Sequence, residues 1–238
     1  VEDRESGGAG GILASMDRIA LALGKDKAEI NDFLGWCLEN PIKPNRVESA
    51  PCQENVHTGA DIDLYKVPIP QHAPRDGGPF ITGGVIFSKG VNGAVQNLSF
   101  QRLHVKEKDK TGIMINEWRH LKDFYNEAEA EGKPLPISIV CGCDPAHYIA
   151  AGLRYDGDEI EVSGAIRGQA IDVVKSVTND IYVPATAEWV IEGQIMPDTR
   201  EKEGPLGEFT GHYSAPWDSP VFQVTAITHR NDALSQTI

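Results

Sequence analysis

The sequence predicts an α+β protein in which a β-barrel or β-sandwich carries helical elements. Short strand-like runs separated by turn residues dominate the chain from Phe80 onward, and a helical insertion interrupts them. The pattern lacks the regular alternation of strands and helices that builds a doubly wound sheet. The chain has 238 residues, of which 40% are hydrophobic, so it can form one large or two small domains.

The first elements are two amphipathic helices. Apolar residues recur at helical spacing over residues 12–23 and again over residues 27–38, where Cys37 is in phase with the apolar face. Pro41 ends the second helix, and further prolines keep the chain irregular as far as Pro79. Such a segment is typical of a connection between two structural regions.

The middle of the chain predicts a β-hairpin around an Asn92-Gly93 turn, which is a strong hairpin signal. Asp144 and Pro145 suit the N-cap and first position of a later helix. In chain order, the predicted elements are strands over residues 80–88, 94–105 and 112–118, a helix over 121–131, a strand over 135–142 and helices over 146–153 and 158–168.

The last part of the chain returns to strands. These are predicted over residues 171–177, 180–183, 186–196, 208–213 and 221–230. An Asn231-Asp232 turn follows the last strand, which indicates a hairpin whose partner strand is cut off. We therefore expect the last strand to present an exposed edge.

Composition and charge exclude several classes of protein. A formal net charge of −13 argues against binding to a nucleic acid backbone, which favours a basic surface. The longest apolar run, "ISIVCGC", is too short to span a bilayer, and no signal peptide is visible. The cysteines Cys37, Cys52, Cys141 and Cys143 lack zinc-site spacing, so buried thiols in a reducing cytoplasm are favoured over metal ligands.

The segment "NLSFQR" is the most polar of the predicted strands. It can be an edge strand with one wet face, or it can line a site. Strict alternation puts Asn97 and Ser99 on one face and Arg102 on the other. If all three serve one site, the strand must bulge or end between them.

Three other polar segments have both a structural and a functional interpretation. Arg119 and His120 lie where a strand passes into a helix, a common place for a capping residue. Asp158, Glu159 and Glu161 lie near a helix start, where acids favour the helix dipole in any case. The segment "EGPLGE", residues 203–208, is either a solvated turn or a rigid loop that orients two carboxylates.

In this order, "NLSFQR", "RH", "DE" leading into "SGAIRG", "VPATAEWVIEG" and "EGPLGE" resemble the UbiD family of reversible decarboxylases, which use prenylated FMN. The resemblance runs from about Cys52 to the end of the chain, and its motifs look most like the hydroxyarene-acid branch. It implies a split β-barrel flavin-binding domain with a helical insertion over residues 61–238. Residues 1–60 would then be part of an N-terminal α/β region and a linker. The family's C-terminal oligomerisation domain is missing, so the resemblance implies a fragment.

The resemblance also implies roles for individual residues. Asn97, Ser99, Phe100, Gln101, Arg102, Arg119, His120 and Glu159 would bind the cofactor, although Arg119 stands where some relatives have glutamine. Asn97, His120 and Glu159 would bind Mn²⁺ or Mg²⁺, with Glu161 as the alternative to Glu159, and K⁺ is a further candidate ion. Arg102 and Glu203 would orient the substrate, and Glu208 would donate the proton.

The chemistry of these residue types agrees with the resemblance. A hard divalent ion favours oxygen ligands with one imidazole, and a guanidinium matches a carboxylate substrate. The resemblance implies a cytoplasmic carboxy-lyase that acts on a hydroxybenzoate-type or α,β-unsaturated acid and forms a homo-oligomer through the missing domain. A flavin prenyltransferase would supply its cofactor. The alternative is a flavin-binding module or inactive subunit without decarboxylase chemistry.

Overall fold

The computed structural model describes residues 7–90, 93 and 95–238. Its α-helices are α1 (Met16–Leu23), α2 (Ile30–Glu39), α3 (His120–Ala130), α4 (Pro145–Gly152) and α5 (Glu159–Arg167). Its strands are β1 (Gly8–Gly10), β2 (Asn45–Val47), β3 (Asn55–Thr58), β4 (Phe80–Ile81), β5 (Val85–Lys89), β6 (Gln96–Phe100), β7 (Leu103–Glu107), β8 (Lys110–Ile113), β9 (Leu135–Cys141), β10 (Asp172–Lys175), β11 (Tyr182–Pro184), β12 (Trp189–Glu203), β13 (Trp217–His229) and β14 (Ser235–Thr237).

Within the described residues, nine strands form one antiparallel sheet in the order β4-β7-β8-β13-β12-β9-β5-β6, with β3 paired to β13 beside this path. A smaller sheet has the order β11-β10-β2, and β1 pairs in parallel with β14. All helices predicted from the sequence are present in this arrangement. The prediction of a strand-rich α+β fold is confirmed.

The central strands bury both of their faces. Ile139 lies opposite Ile191 in the β9–β12 pair and belongs to one apolar core, whereas Val140 lies opposite Val190 and belongs to another. Successive side chains of a strand point to opposite faces, so a strand between two cores needs apolar residues at every position. This explains why residues 139–141 are apolar without alternation, while the buried Ser138 hydroxyl is paired with that of Ser176 (2.9 Å).

The N-terminal helices pack against the helical insertion. Cys37 of α2 is fully buried in a third cluster together with Val162 and Ala165 of α5. The four cysteines are free, and burial raises the pKa of both Cys52 and Cys141 to about 12. The prediction of free thiols is confirmed, with Cys37, Cys52 and Cys141 buried and Cys143 half-buried. None of the described helices combines the length and apolar character needed to cross a membrane.

The predicted strand over residues 94–105 is two strands in the structure. The strand β6 ends at Phe100 and β7 begins at Leu103, so Gln101 and Arg102 lie in the break between them. The break is the interruption that a shared site for Asn97 and Arg102 requires. The strands β5 and β6 pair as a hairpin, although Asn92 of the expected turn lies outside the described residues.

The predicted exposed edge on the last strand is wrong. The strand β13 pairs with β12 on one side and with β8 and β3 on the other, because its second neighbours come from distant parts of the sequence. The predicted strand over residues 208–213 is also wrong, since the structure shows one isolated bridge between Gly207 and Tyr213. A turn replaces the strand, in which the Gly211 N–H donates to the Glu208 carbonyl (2.9 Å).

A buried histidine should make the stability of this fold depend on pH. His147 of α4 is 1% exposed, and burial lowers its pKa from 6.5 to about 4, against a smaller opposing effect of Asp144. Because the unfolded protein binds a proton at this histidine more readily than the folded protein does, the free energy of unfolding is highest above pH 6.5. It decreases as the pH falls below that value. From pH 7 to pH 5, His147 should lower the free energy of unfolding by about 2 kcal/mol.

Urea unfolding of the wild type and of His147→Leu at several pH values measures this effect. The His147→Leu variant should lose that share of the pH dependence, whereas His212→Gln, at an exposed position, should keep it. Equal pH profiles for the wild type and His147→Leu would contradict the prediction.

Candidate active site

An arginine between two carboxylates forms the first cluster of the site. The Arg102 guanidinium donates through Nε to Glu203 Oε1 (2.9 Å) and through Nη2 to Glu203 Oε2 (2.9 Å), which is a bidentate ion pair. Its remaining nitrogen, Nη1, donates to Glu208 Oε1. We call Arg102, Glu203 and Glu208 the arginine–carboxylate cluster. The structure thus brings together the three residues predicted to be catalytic.

The two carboxylates of this cluster have different surroundings. Glu203 ends β12, and its side chain is fully buried, whereas the Glu208 side chain lies in a loop and is 37% exposed. Burial disfavours the charge of Arg102, but the carboxylates of Glu203 and Glu208 outweigh it and raise the pKa of Arg102. Arg102 and Glu203 are therefore rigid members of the cluster, and Glu208 faces the solvent side.

Two further side chains complete the cluster, and sequence reasoning missed both. The indole N–H of Trp217 donates to Glu203 Oε2 (2.9 Å), and Arg102 Nη2 donates to Ser214 Oγ (3.2 Å). Trp217 lies opposite Glu203 in the β12–β13 pair, so the hairpin itself brings them together. If residues 204–216 had been identified as the loop of a β-hairpin, the sequence would have predicted this contact.

An amide, an imidazole and a carboxylate form the second cluster. In the orientation that satisfies its neighbours, the Asn97 amide nitrogen donates to His120 Nδ1 (2.9 Å) and to Glu159 Oε1 (3.2 Å). The second oxygen of Glu159 accepts from the Leu98 N–H (3.0 Å). We call Asn97, His120 and Glu159 the amide–imidazole cluster. These are the residues predicted to bind a divalent metal, and their side chains converge.

The choice between Glu159 and Glu161 follows from contacts. Glu159 is 2% exposed at the start of α5 and joins the cluster, while Glu161 is half-buried, and its side chain forms no hydrogen bond or ion pair with the described residues. Burial raises the pKa of Glu159 to about 7 and that of Asp158 to about 6. A buried carboxylate of this kind needs a nearby cation to stay ionised.

The donor set fits a hard divalent cation. Within the described part of the chain, no three residues of the types His, Cys, Asp and Glu group as metal ligands, so a cation here would depend on the Asn97 amide. A bound cation would take the other orientation of the Asn97 amide, in which Oδ1 lies 2.9 Å from His120 Nδ1. One amide oxygen, one carboxylate and one imidazole suit Mn²⁺ or Mg²⁺ better than Zn²⁺.

Buried polar atoms of the segment 97–102 fit a further bound group. Ser99 Oγ and Gln101 Nε2 have no hydrogen-bond partner among the described residues, although Gln101 Oε1 accepts from the Asn116 N–H (3.2 Å). Buried polar atoms nearly always have partners, so a ligand bound against this segment would satisfy them. The Phe100 ring stacks on Tyr148, with 5.9 Å between ring centroids.

Arg119 differs from the other predicted cofactor residues. It is exposed at the N-terminal end of α3, and its side chain forms no hydrogen bond or ion pair with either cluster. The preceding residue, Trp118, has a positive φ of 67° and is fully exposed. The structure therefore does not bring the Arg119 side chain into the site.

Comparison with known protein families identifies the family of this chain. The sequence model described as the 3-octaprenyl-4-hydroxybenzoate carboxy-lyase Rift-related domain of the UbiD family matches residues 45–238. This chain belongs to the UbiD family. The UbiD resemblance of the motifs from "NLSFQR" to "EGPLGE" is thereby confirmed.

Relatives within the UbiD family include named decarboxylases. The chain is 35% identical over 235 residues to a phenolic acid decarboxylase of Bacillus subtilis, covering 94% of this chain and 50% of the relative. It is 34% identical over 247 residues to a gallate decarboxylase of Lactiplantibacillus plantarum, covering 96% and 50%. The chain thus spans about half the length of these relatives.

Solved structures of UbiD-class enzymes superpose on most of the chain. An evolved dimeric form of HmfF from Pelotomaculum thermopropionicum, in complex with prFMN, has a TM-score of 0.91 at 37% identity, covering 96% of this chain and 54% of that one. The apo 3,4-dihydroxybenzoic acid decarboxylase AroY of Klebsiella pneumoniae has a TM-score of 0.91 at 33% identity, covering 98% and 52%.

Proposed function

We propose that this chain is the flavin-binding part of a reversible, non-oxidative decarboxylase of aromatic acids that uses prenylated FMN. The observation that carries the proposal is the arginine–carboxylate cluster, in which one guanidinium holds a buried and an exposed carboxylate. The names of the phenolic acid, gallate and 3,4-dihydroxybenzoic acid decarboxylases support a hydroxybenzoate-type substrate. An α,β-unsaturated acid is the second candidate.

Arg102 and Glu203 orient the reacting groups. Glu203 takes the Nε and Nη2 side of the guanidinium and leaves Nη1 facing Glu208. Because Glu203 is fully buried and also accepts from Trp217, the plane of the guanidinium is fixed. A substrate carboxylate that approaches Nη1 would therefore bind to a guanidinium that is already held in the required orientation.

Glu208 serves as the proton donor. Its side chain is exposed enough to contact a ligand, and it lies at the Nη1 atom of Arg102, opposite the buried Glu203. Prenylated FMN, when bound, supplies an electron sink for the carbanion character that loss of CO₂ leaves on the substrate. Glu208 holds a proton at its carboxyl group when CO₂ leaves, and it transfers that proton to the substrate carbon.

The amide–imidazole cluster would hold Mn²⁺ or Mg²⁺ next to the flavin phosphate, with K⁺ as a further ion. In a protein with a net charge of −13, such a cation would offset the negative charges of Glu159 and of a flavin phosphate. Ser99 and Gln101 would bind the flavin through the polar atoms that lack partners. Arg119 would reach the cofactor only after its exposed side chain moves.

We further propose that residues 61–238 form the family's split β-barrel and that residues 1–60 belong to its N-terminal α/β region. The hydrogen-bonded path from β4 to β6, with the α4–α5 insertion, supports a barrel from β4 onward. The strand β3 lies before residue 61 but also pairs with β13 of this sheet. The whole protein would be a cytoplasmic homo-oligomer, supplied with cofactor by a flavin prenyltransferase.

Glu159 should carry the metal affinity of the amide–imidazole cluster. We expect Glu159→Gln to weaken Mn²⁺ binding by more than the roughly 10–100-fold that loss of an outer-shell partner costs, since it removes the charged ligand. Electron paramagnetic resonance titration of Mn²⁺ measures the free ion. Glu161→Gln, two residues further along α5, is the matched control and should bind Mn²⁺ like the wild type. The reverse ranking of the two variants would assign the site to Glu161.

The proposed function is tested with the full-length protein co-expressed with a flavin prenyltransferase. The purified protein should carry a modified flavin, seen in its absorption spectrum and mass, and should release CO₂ from one or more hydroxybenzoic acids. A flavin-loaded protein that releases no CO₂ from aromatic or α,β-unsaturated acids would favour the alternative, a flavin-binding module without decarboxylase chemistry.

A further inference from the structure

We propose that Asp76 is a positioning residue that holds the proton donor Glu208 in place. Asp76 lies on the proline-rich connection before β4 and is 8% exposed. Its Oδ1 accepts from the Gly207 N–H (2.7 Å), and its Oδ2 accepts from the Ala73 N–H (2.7 Å). Gly207 directly precedes Glu208, so the Asp76 carboxylate ties the backbone of the donor to a distant segment.

The Asp76 carboxylate accepts hydrogen bonds from backbone N–H groups. Within the described residues, no lysine, arginine or histidine forms an ion pair with Asp76, so its two oxygens serve the two N–H groups. A hydrogen bond to an ionised carboxylate is shorter and about twice as strong as a neutral one. The contact with Gly207 is therefore a strong restraint on the position of the loop.

Gly77, the residue after Asp76, forms a second hydrogen bond to the same loop. The Gly77 N–H donates to the Pro205 carbonyl (2.8 Å). A Cβ atom at Gly77 would lie 2.5 Å from the Gly204 carbonyl oxygen, which is closer than real Cβ contacts. The loop "EGPLGE" thus lies so close to residues 76–77 that only glycine fits there.

Histidine 104 supports the start of the loop from the other side. The Gly204 N–H donates to His104 Nδ1 (3.2 Å), and the imidazole stacks on Phe80 with 4.3 Å between ring centroids. Burial lowers the pKa of His104, which keeps Nδ1 available as an acceptor. Between Glu203 and Glu208, the backbone is therefore held at Gly204, Pro205 and Gly207.

The two acids of the loop need this support to different degrees. Glu203 is part of β12 and is buried against Arg102, so its position follows from the sheet. Glu208 has a half-exposed side chain and a backbone tied within its own turn by its N–H to the His212 carbonyl (2.8 Å). A shift of about 1 Å in a reacting group can lower turnover about 100-fold, so the Asp76 contact decides how well Glu208 is placed.

The test uses the full-length, flavin-loaded enzyme, and it rests on the proposed role of Glu208. Asp76→Asn replaces one oxygen by an NH₂ group that cannot accept from a backbone N–H, so one of the two restraints is lost. We expect kcat to fall about 10–100-fold, with KM and the flavin spectrum unchanged. Asp63→Asn is the matched control, because Asp63 Oδ1 accepts from the Tyr65 N–H (3.0 Å) away from the loop.

A double-mutant cycle separates positioning from a general structural role. If Asp76 acts through Glu208, adding Asp76→Asn to Glu208→Gln should lower kcat by little more than Glu208→Gln alone. Amide hydrogen exchange at Gly207 should accelerate in Asp76→Asn and not in Asp63→Asn. Gly77→Ala, whose Cβ would displace the same loop, should also lower kcat in the wild type and much less in Glu208→Gln. It replaces Asp76→Asn in the cycle if that variant does not fold.

Losses in kcat that multiply in the double variant would overturn the inference, as would unchanged kcat with faster Gly207 exchange. If Glu208→Gln alone has no effect, Asp76 cannot act through it and the inference fails, while CO₂ release by the wild type still supports the proposed function. If the wild type releases no CO₂, the proposed function fails, and the inference fails with it.

Discussion

Replacing Glu208 by glutamine is expected to lower turnover about 10²–10⁴-fold, the usual contribution of general acid catalysis. Glutamine keeps the shape of the side chain and can still contact Arg102 Nη1 through its oxygen, but it cannot deliver a proton. Flavin and Mn²⁺ binding should be preserved, because they depend on the amide–imidazole cluster. Turnover and solvent deuterium exchange at the product carbon should fall in parallel.

A carboxylate of equal exposure provides the control for Glu208. Glu201 of β12 is also 37% exposed and pairs with Lys110 Nζ (2.8 Å), away from Arg102. Glu201→Gln should keep the wild-type turnover. Near wild-type turnover of Glu208→Gln would instead assign the proton transfer to another group, and the role given to Glu208 would have to be abandoned.

Removing the guanidinium from the buried Glu203 should produce the largest loss of stability. Arg102→Met leaves the fully buried Glu203 carboxylate with Trp217 as its remaining hydrogen-bond donor among the described residues. Breaking one partner of a buried ion pair costs about 3–5 kcal/mol, because the other charge stays buried without compensation. Equilibrium urea unfolding of the cofactor-free protein should show this decrease. The double variant Arg102→Met/Glu203→Gln should regain part of it, since glutamine carries no charge.

The neighbouring exposed ion pair is the control for this effect. Lys202 Nζ and Asp218 Oδ1 are 3.0 Å apart, with side chains 69% and 63% exposed. Because water screens such a pair, Lys202→Met should change the free energy of unfolding by less than about 1 kcal/mol. Equal losses for Arg102→Met and Lys202→Met would show that burial adds nothing to the Arg102–Glu203 pair.

Local sequence signals predicted the helices and much of the site. Asp144 accepts a hydrogen bond from the N-terminal turn of α4, so the predicted capping residue marks where this helix begins. Asp158 caps α5 in the same way. If Asn97, Ser99 and Arg102 serve one site, the alternation of "NLSFQR" predicts a bulge or a strand end between them, and the structure has a strand end at Phe100. In these cases the determining interactions lie within a few residues of each other.

Contacts between distant segments could not be predicted in the same way. The partners of β13 are set by packing across the sheet, and no local pattern encodes them. Trp217 and Asp76 belong to the site because the chain returns there from elsewhere, by a hairpin in one case and a proline-rich connection in the other. The aromatic and β-branched residues of segment 208–213 have a high strand propensity and predict a strand where the structure has a turn.

The pairing of β3 with β13 sets a minimum time for completing the fold on the ribosome. The Asn55 side chain donates to the His229 carbonyl, and these residues are 174 positions apart. At roughly 5–20 residues per second, about 9–35 s of synthesis separate the two halves of this contact. Throughout that interval β3 has been made while its neighbour in the sheet has not. The speed of translation, rather than the intrinsic rate of strand pairing, therefore determines how long β3 remains without its partner strand β13.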